Sequence, residues 1–489
     1  MGEAVSALVG GRREVNRWLV LGIVCIAQFM VILDATIVNV ALPSIQHGLG
    51  FSQSSLQWVV NAYTLIFGGF LLLGGRASDL VGRQRLFLAG VALFTVASAV
   101  NGVAQSSGML VAGRALQGLG AALVSPAALA IVTTTFAEGR ERAKAMGVWS
   151  AIAAGGGAVG LVLGGLLTET LSWRWVFFIN LPIGIAAILL SLRYVPDAEA
   201  DERRPETADV AGAVTVTGGL LVLVYGIVKA QEYGWTSWKT LGLGALAVAL
   251  LGAFTWIESH SREPLIRLGV FKSRALTASN GAMLLVAAGM FSMFYFASIY
   301  VQEVLGYSPV QAGLAFVPFT VGIVIGAGAA QSLIRKLGAK WLPVVGLVGA
   351  VVGELLFVRV TVDGSYWGQL LPAIAVMSIG MGLTFVPLTL VATTNIAHED
   401  AGLASGLFNT SQQVGGALGL AILSSLAASR TANLLGAGHA KPDALVSGFH
   451  VAFAVGAGLM ALGLAIILVV LRQRDVATID TEALAPVAA

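Results

Sequence analysis

One acidic residue, Asp34, lies inside an apolar stretch of the sequence that reads FMVILDATIVNVALP, residues 29–43. A second charged residue, Arg114, lies inside another apolar stretch, residues 108–136. An unpaired charge at the centre of a bilayer costs at least about 3 kcal/mol, so charged residues at that depth usually face the protein interior. If both stretches cross a membrane, this pair indicates either a proton or substrate path or a structural ion pair that orients helices.

The composition of the chain favours a membrane location. Of 489 residues, 57% are hydrophobic and only 11% are charged, and the mean hydropathy is +0.86. A soluble core of this length does not bury so much apolar surface. The single cysteine, Cys25, excludes an internal disulfide, and the five histidines are too scattered for a Cys/His metal site. Redox and zinc chemistry are therefore not indicated, and we predict no cofactor.

Fourteen apolar stretches have about the length that a helix needs to cross roughly 30 Å of hydrocarbon. The fold class that follows is an all-α polytopic membrane protein with fourteen transmembrane helices. The predicted spans are 18–42, 56–76, 86–105, 108–136, 146–168, 175–193, 210–230, 239–258, 276–301, 309–332, 341–358, 369–393, 403–428 and 446–471.

The basic residues give the orientation of these spans. Most of the 28 lysines and arginines fall in alternate loops when both termini are placed on the same side. Because cytoplasmic loops retain basic residues, both termini are predicted to be cytoplasmic in a multi-pass protein of the plasma (inner) membrane. This placement also accounts for the sequence pI of about 9.0, so no nucleic acid partner is predicted.

The spans divide into two six-helix halves with two inserted helices between them. The stretch GMLVAGRALQGLGAALVSP aligns with GQLLPAIAVMSIGMGLTFVP, and a pseudo-twofold repeat of this kind places a substrate site between the halves. The predicted segments are a cytoplasmic N-terminal segment 1–17, an N-terminal six-helix bundle 18–193, a cytoplasmic linker 194–209, two additional helices 210–258, a second cytoplasmic linker 259–275, a C-terminal six-helix bundle 276–471 and a cytoplasmic tail 472–489.

The repeat also indicates which half carries the chemistry. Ile374 aligns with Arg114, and Arg335 aligns with Asp79, so the second copy has lost these charges. In the first half, Asp34 and Arg114 lie roughly 13 Å and 9 Å below the outer ends of their spans, at about 1.5 Å per residue. The two opposite charges are therefore expected at comparable depth and near each other or near a water-filled cavity.

Three stretches of the first half carry a family resemblance: LDATIVNVALPSI (33–45), LVAGRALQGLGAA (110–122) and WRWVFFINLPIG (173–184). They resemble the fourteen-helix drug:proton antiporter branch of the major facilitator superfamily, and the resemblance covers essentially the whole chain. It implies that Asp34 and Arg114 form the proton-coupling site. It also implies small lipophilic cargo, protons and the lipid bilayer as partners, with the proton gradient as the energy source and no obligate protein partner.

Two further motifs are similar to gating elements of that family. GRASDLVGRQR resembles the loop motif between helices two and three but departs from it at Leu80 and Gln84. The fifth-helix antiporter motif has Leu161 where the family usually has proline, and its spaced glycines form a groove that also fits static helix packing. The resemblance implies a gating or conformational role for Gly75, Asp79, Gly82, Arg83, Arg85, Gly147, Gly156, Gly160, Gly164 and Gly165.

Other polar residues of the spans are candidates for the cavity or the substrate site: Gln117, Asn180, Asn409, Gln413 and Glu354. Asn409 and Gln413 share one helix face and either line a cavity or bond to neighbouring helices. Glu354 precedes Arg359 by five residues near the outer surface, so we expect its side chain to reach water. The aromatic residues of the ninth span are expected to face lipid or to pack.

The function predicted from these observations is proton-coupled efflux of lipophilic, often cationic drugs or antibiotics. The alternative is uniport or proton-coupled transport of a small metabolite by the same fold, which Leu161 leaves open. An enzyme is not indicated, because the sequence has no HExxH or GxSxG motif, no Cys/His pair and no large soluble loop. A sensor with a folded soluble domain is not indicated either, because the sequence has no large soluble loop.

Overall fold

The computed structural model describes residues 16–52, 55–136, 140–195, 209–261, 264–394 and 401–476, and these ranges contain no β-strand. Most of the predicted segments 1–17, 194–209 and 472–489 lie outside the described residues. The helices are α1 (Arg17–Leu49), α2 (Trp58–Val81), α3 (Arg83–Gly102), α4 (Ser107–Thr135), α5 (Arg140–Thr170), α6 (Trp175–Phe178), α7 (Asn180–Tyr194), α8 (Val210–Tyr233), α9 (Trp238–His260), α10 (Arg274–Ile299), α11 (Pro309–Ala315), α12 (Val317–Phe357), α13 (Leu371–Thr393), α14 (Ala401–Gly436) and α15 (Lys441–Val470).

Twelve helical segments of the described chain are long and apolar enough to cross a membrane. The prediction of an all-helical, multi-pass membrane protein is confirmed, whereas the count of fourteen stays a prediction. One segment, Pro309–Phe357, is 49 residues long and changes direction at Gly338, which has φ 79° and ψ 162°. The 31-residue helix α5 is not among the twelve.

The sequence placed one straight helix over 309–332, but α11 ends at Ala315 and α12 begins at Val317. The start of α11 is fixed locally. The Ser308 side chain accepts a hydrogen bond from the backbone N–H of Gln311, and the Gln311 side chain accepts one from the backbone N–H of Ser308. This reciprocal capping box satisfies two donors that a helix start leaves unpaired.

The helices of each half pack mainly with their own half. In the first half α4 packs on α2 and α3, and α1 packs on α5; in the second half α12 packs on α13, and α10 packs on α14 and α15. Glycines allow these approaches: a Cβ on Gly380 would lie 2.5 Å from the backbone nitrogen of Ala350, across the α12–α13 contact. Small residues at such positions let neighbouring helix backbones touch in a membrane.

The helices α8 and α9 lie at the side of this assembly. They pack on each other, and α8 also contacts α2 and α14, which belong to different halves. In the apolar window of α9 only 6% of the residues are buried. Helix α9 therefore presents nearly all of its apolar surface outward, as expected of a helix surrounded by lipid.

Candidate transport site

Asp34 and Arg114 form a buried ion pair between α1 and α4. Nη1 of Arg114 donates to Oδ2 of Asp34, and the two residues are 0% and 1% exposed. The guanidinium also donates through Nε to the backbone carbonyl of Val59, at 2.9 Å. Two charges at this depth are tolerable only when paired and hydrogen-bonded, and both conditions hold here.

Neutral side chains from two helices complete the hydrogen bonds of Asp34. Its Oδ1 accepts from Nε2 of Gln117 at 3.0 Å and from Nδ2 of Asn180 at 2.9 Å. Both amides also donate to the hydroxyl of Ser98, at 2.5 and 3.3 Å. Asn101 donates to Oε1 of Gln117 at 2.6 Å. Helices α1, α3, α4 and α7 thus meet around one carboxylate, and we refer to these side chains with Arg114 as the Asp34 cluster.

Sequence reasoning named four members of this cluster as site residues and missed two. Asp34, Arg114, Gln117 and Asn180 were candidates, whereas Ser98 and Asn101 were not. The available signal was the occurrence of polar residues 16 and 19 positions after Gly82 in a largely apolar span.

A tyrosine covers the guanidinium. Cζ of Arg114 lies 4.4 Å from the ring centroid of Tyr63 on α2, close enough for a cation–π interaction. The Tyr63 hydroxyl is buried and has no hydrogen-bond partner among the described residues. It is therefore a free donor beside the ion pair.

A cavity of about 1030 Å³ lies between the two halves. Its walls come from α1, α2, α4 and α5 on one side and from α10 and α14 on the other, with a few residues from the segment before α10. Arg114 and Tyr63 line it, but Asp34 does not, so the carboxylate lies behind the guanidinium. A volume of this size accommodates a drug-sized molecule.

The cavity wall contains some of the predicted residues and excludes others. Asn409 and Gln413 line it, together with Phe291 and Phe294 of α10. The aromatic residues of this span were expected to face lipid or to pack, and these two pack on the core while also facing the cavity, because α10 turns that side toward the other half. Gln117 and Asn180 lie in the Asp34 cluster and not on the wall.

Glu354 does not reach water as the sequence indicated. Its side chain is 0% exposed, and it lies on α12 away from the cavity wall. The neighbouring Arg359 is exposed, but the helices packed around α12 cover the acid completely. The spacing between the two residues was therefore misleading.

The cavity extends to the end of the bundle where α2 and α4 finish and α14 begins, since Arg76, Thr133 and Gly402 line it. At the opposite end the two halves touch. Ser298 donates to the carbonyl of Asn39 at 2.8 Å, and Nε2 of Gln302 donates to that of Val40 at 3.0 Å. The cavity is thus open at one end and closed at the other.

The glycines of α5 lie in the contacts of that helix with α1 and with α11. A Cβ on Gly156, Gly160 or Gly164 would meet side chains or carbonyls of α1, and one on Gly165 would overlap Pro309 and Val310 of the second half. A Cβ on Gly147 would meet nothing within 4 Å. Four of the five predicted glycines therefore lie at close helix contacts in this conformation.

The loop motif GRASDLVGRQR ends α2 and begins α3. Gly75 and Arg76 line the cavity, and Gly82 forms the turn with φ 103° and ψ 135°. Gln84, which departs from the family pattern, donates to the carbonyls of Ser191 and Val195 at 3.1 and 2.8 Å and ties α3 to the end of α7. Arg83 is partly exposed and Arg85 exposed, and the side chain of Asp79 lies outside the described part of the chain.

Comparison with known proteins places this geometry in a family. Residues 24–420 match the Major Facilitator Superfamily. The puromycin resistance protein of Streptomyces alboniger is 40% identical over 95% of this chain and 93% of its own length. The cephamycin export protein CmcT of Amycolatopsis lactamdurans is 40% identical over 92% of each chain, and the tetracenomycin C resistance and export protein of Streptomyces glaucescens is 37% identical over 85% and 77%.

Solved structures share the fold at low sequence identity. A bacterial homologue of the human lysosomal transporter Spinster, in an inward-facing and unoccupied conformation, has a TM-score of 0.66 at 16% identity, covering 96% of this chain and 98% of that one. A peptide transporter in complex with sulfate has a TM-score of 0.67 at 17% identity, covering 95% and 98%. The chain described here is a membrane transporter that belongs to the Major Facilitator Superfamily, with named antibiotic and multidrug exporters among its relatives.

Proposed function

We propose that the chain exports lipophilic drugs or antibiotics across the plasma membrane in exchange for protons, by alternating access of the cavity. The observation that carries this proposal is the buried Asp34–Arg114 pair directly behind the wall of a drug-sized cavity between the halves. An acid and its counter-ion at membrane depth are typical of proton paths. The names of the antibiotic exporters at up to 40% identity support the cargo class.

The conformation described here corresponds to the cytoplasm-facing state of this cycle. The open end of the cavity is the end of the bundle with the basic loops, where Arg76 lines the cavity from the last turns of α2, and basic loops favour the cytoplasm. Both termini are on that side in the same scheme. Counting Pro309–Phe357 as two spans and α5 as one gives fourteen, with α8 and α9 as the two helices added between the halves.

The proposed exchange uses Asp34 as the proton carrier. When the cavity faces outward, Asp34 takes up a proton, the attraction to Arg114 weakens, and cargo leaves. When the cavity faces the cytoplasm, the proton leaves and Arg114 pairs with the carboxylate again, as in the arrangement seen here. One charge that crosses about 100 mV releases about 2.3 kcal/mol, which supports roughly a fifty-fold cargo gradient.

The side chains of the cavity wall indicate which class of cargo fits the cavity. The charged side chains among the described lining residues are three arginines, Arg76, Arg114 and Arg267, and they are accompanied by amides and aromatic rings. Asp34 is neutralised by Arg114 and does not reach the cavity surface. The Asp34–Arg114 pair is therefore neutral as a whole, and lipophilic cargo needs no charge of its own to fit this wall.

The test is transport by the purified protein in liposomes with an imposed pH gradient. We expect uphill movement of lipophilic antibiotics together with a change of internal pH. Cargo movement without any proton flux would contradict antiport and favour the uniport alternative. Failure of every lipophilic compound, with movement of a small hydrophilic metabolite, would contradict the proposed cargo class.

A further inference from the structure

We propose that Glu354 is a second proton-binding carboxyl, located in the second half at the position that corresponds to the Asp34 cluster in the first. This inference extends the proposed function, because it adds a second proton site to a transporter proposed to use protons. The residue lies outside the cavity and outside the Asp34 cluster, so neither of these accounts for an acid at this place.

The two halves have matching close contacts in the helix pair concerned. A Cβ on Gly90 would lie 2.9 Å from the backbone nitrogen of Val124, and a Cβ on Gly346 would lie 2.9 Å from that of Thr384. Gly82 and Gly338, the two positive-φ glycines at the helix starts, lie eight residues before Gly90 and Gly346. Helix α3 therefore corresponds to the part of α12 that follows Gly338.

This register pairs Ser98 with Glu354, since each lies 16 residues after its turn glycine. Ser98 accepts hydrogen bonds from the amides of Gln117 and Asn180, which hold Asp34. Glu354 thus occupies the position from which α3 contributes to the Asp34 cluster. The second half lacks the charges of the first at two aligned positions but places an acid at this third one.

The surroundings of Glu354 leave its carboxyl without a partner. Neither oxygen has a hydrogen-bond partner among the described residues. The side chain points at Gly456 of α15, where an added Cβ would lie 2.9 Å from Oε1 and 3.6 Å from Cα of Gly289 on α10. Leu423 of α14 lies 3.6 Å from the same point. The acid is therefore enclosed where four helices of the second half meet, with glycines on two of them.

No charged side chain of the described residues compensates this acid. The titratable groups nearest to Glu354 along the surrounding helices are four residues, and none of them is paired with its carboxyl. They are His450, which pairs with the carbonyl of Val360 at 2.7 Å, Arg430, which donates to Ser447 at 3.1 Å, Arg359, which is exposed, and Tyr295, whose hydroxyl has no described partner.

An unpaired carboxylate in such a place is far too costly, so the group is held here as the neutral acid. The glycine contacts of α10 and α15 allow these helices to slide. When the second half rearranges during the cycle, water reaches Glu354 and its proton leaves as hydronium. Return to the packing seen here requires that the proton be bound again. One proton thus binds and leaves at Glu354 in addition to the one at Asp34.

The first arm of the test follows the acid itself by pH-dependent infrared spectroscopy of the protein in liposomes. Glu354→Gln is expected to remove one protonated-carboxyl C=O band that responds to pH and to added lipophilic drug, and Asp34→Asn is expected to remove a different one. Glu354→Asp should retain a shifted, titrating band, and Glu169→Gln, at an exposed acid, should retain both. A Glu354 band that never responds, or the absence of such a band, would overturn the proposal.

The second arm measures how steep a gradient of neutral cargo the protein maintains with the voltage clamped at zero. A pH difference of one unit supports about a tenfold gradient with one coupled proton and about a hundredfold gradient with two. We expect the higher value for the unaltered protein and the lower for Glu354→Gln, and equal values would overturn the proposal. If the unaltered protein maintains no gradient at all, the proposed antiport fails, and the infrared arm alone decides the role of Glu354.

Discussion

Gly313 of α11 lies against the backbone carbonyl of Leu161 of α5, so closely that a Cβ on this glycine would overlap the carbonyl oxygen. The contact joins the two halves at the closed end of the cavity. Leu161 stands where the antiporter resemblance expects proline, yet this segment of α5 still closely approaches the second half. The main chain of α5 thus contributes to the closed end without a proline, beside the hydrogen bonds that Ser298 and Gln302 donate to α1.

The first prediction follows from this contact. Gly313→Ala should force α5 and α11 apart and shift the protein toward the state that is open on the outer side. The measurement is labelling of Asn39→Cys, on the cavity wall, by an impermeant maleimide added outside, in a Cys25→Ser background. We expect labelling to rise several-fold. Gly155→Ala is the matched control, because a Cβ there meets nothing within 4 Å, and an equal rise in that variant would contradict the role of the contact.

The second prediction separates stability from coupling at the ion pair. Asp34→Asn leaves Arg114 buried without its counter-charge, which costs about 3–5 kcal/mol in free energy of unfolding. The double variant Asp34→Asn/Arg114→Gln removes both charges and should recover most of that loss. Coupled efflux should fall to the background of empty liposomes in both proteins. Restored efflux in the stable double variant would mean that the pair is structural only.

Much of the Asp34 cluster was predictable, because two opposite charges at comparable depth must meet or face water. Its remaining two residues were not predictable, since Ser98 and Asn101 equally well bond to the carbonyls of their own helix, and sequence does not say which way they turn. The cavity wall depends on the rotation of α10, which apolar patterning leaves open when every face is hydrophobic. The helix break at Phe316 was not predictable, because it interrupts no apolar run. The burial of Glu354 was not predictable either, because the helices that cover it are distant in sequence.

The third prediction concerns the charge of the cargo. Because the Asp34–Arg114 pair is neutral as a whole and Asp34 does not reach the cavity surface, a neutral lipophilic dye should be exported at least as fast as a cationic dye of the same ring system. The measurement is efflux of the two dyes from the same proteoliposomes, with the membrane potential clamped so that voltage does not favour either. A preference for the cation would indicate that cargo contacts Asp34 directly.

The fourth prediction is a pH dependence at the closed end. Oε2 of Glu169 accepts a hydrogen bond from the backbone N–H of Val310 at 3.0 Å, in the first turn of α11. Bonds from the Ser308 side chain and from Val310 favour the carboxylate and lower the pKa of Glu169 below its usual range. The stabilisation is therefore fully present above the ordinary carboxyl pKa and is lost as the pH falls through the lowered pKa.

Deuterium exchange at the Val310 amide measures this contact. The readout is the protection factor, which is the intrinsic exchange rate at a given pH divided by the observed rate at that pH. We expect protection of the Val310 amide to fall as the medium is acidified through that range and to be nearly independent of pH in Glu169→Gln, whose amide oxygen still accepts the bond but does not titrate. The same loss of protection in Glu169→Gln would assign the pH dependence to another group.

The fifth prediction concerns the turn glycines of the two halves. Gly82 and Gly338 have φ of 103° and 79°, with ψ of 135° and 162°, a backbone region that is essentially open to glycine alone. Alanine at either position should therefore cost about 1–3 kcal/mol in free energy of unfolding. Thermal unfolding in detergent measures the loss, and Gly22→Ala is the control, because that glycine is helical and a Cβ there meets nothing within 4 Å.

The two glycine variants should differ in transport although they resemble each other in stability. Gly82 belongs to the loop motif that continues from Gly75 and Arg76 on the cavity wall, whereas the described cavity lining includes no residue of the turn at Gly338. Gly82→Ala should therefore lower the rate of efflux more than Gly338→Ala at equal amounts of folded protein. Equal loss of transport would mean that both turns act only by holding their helix pairs in register.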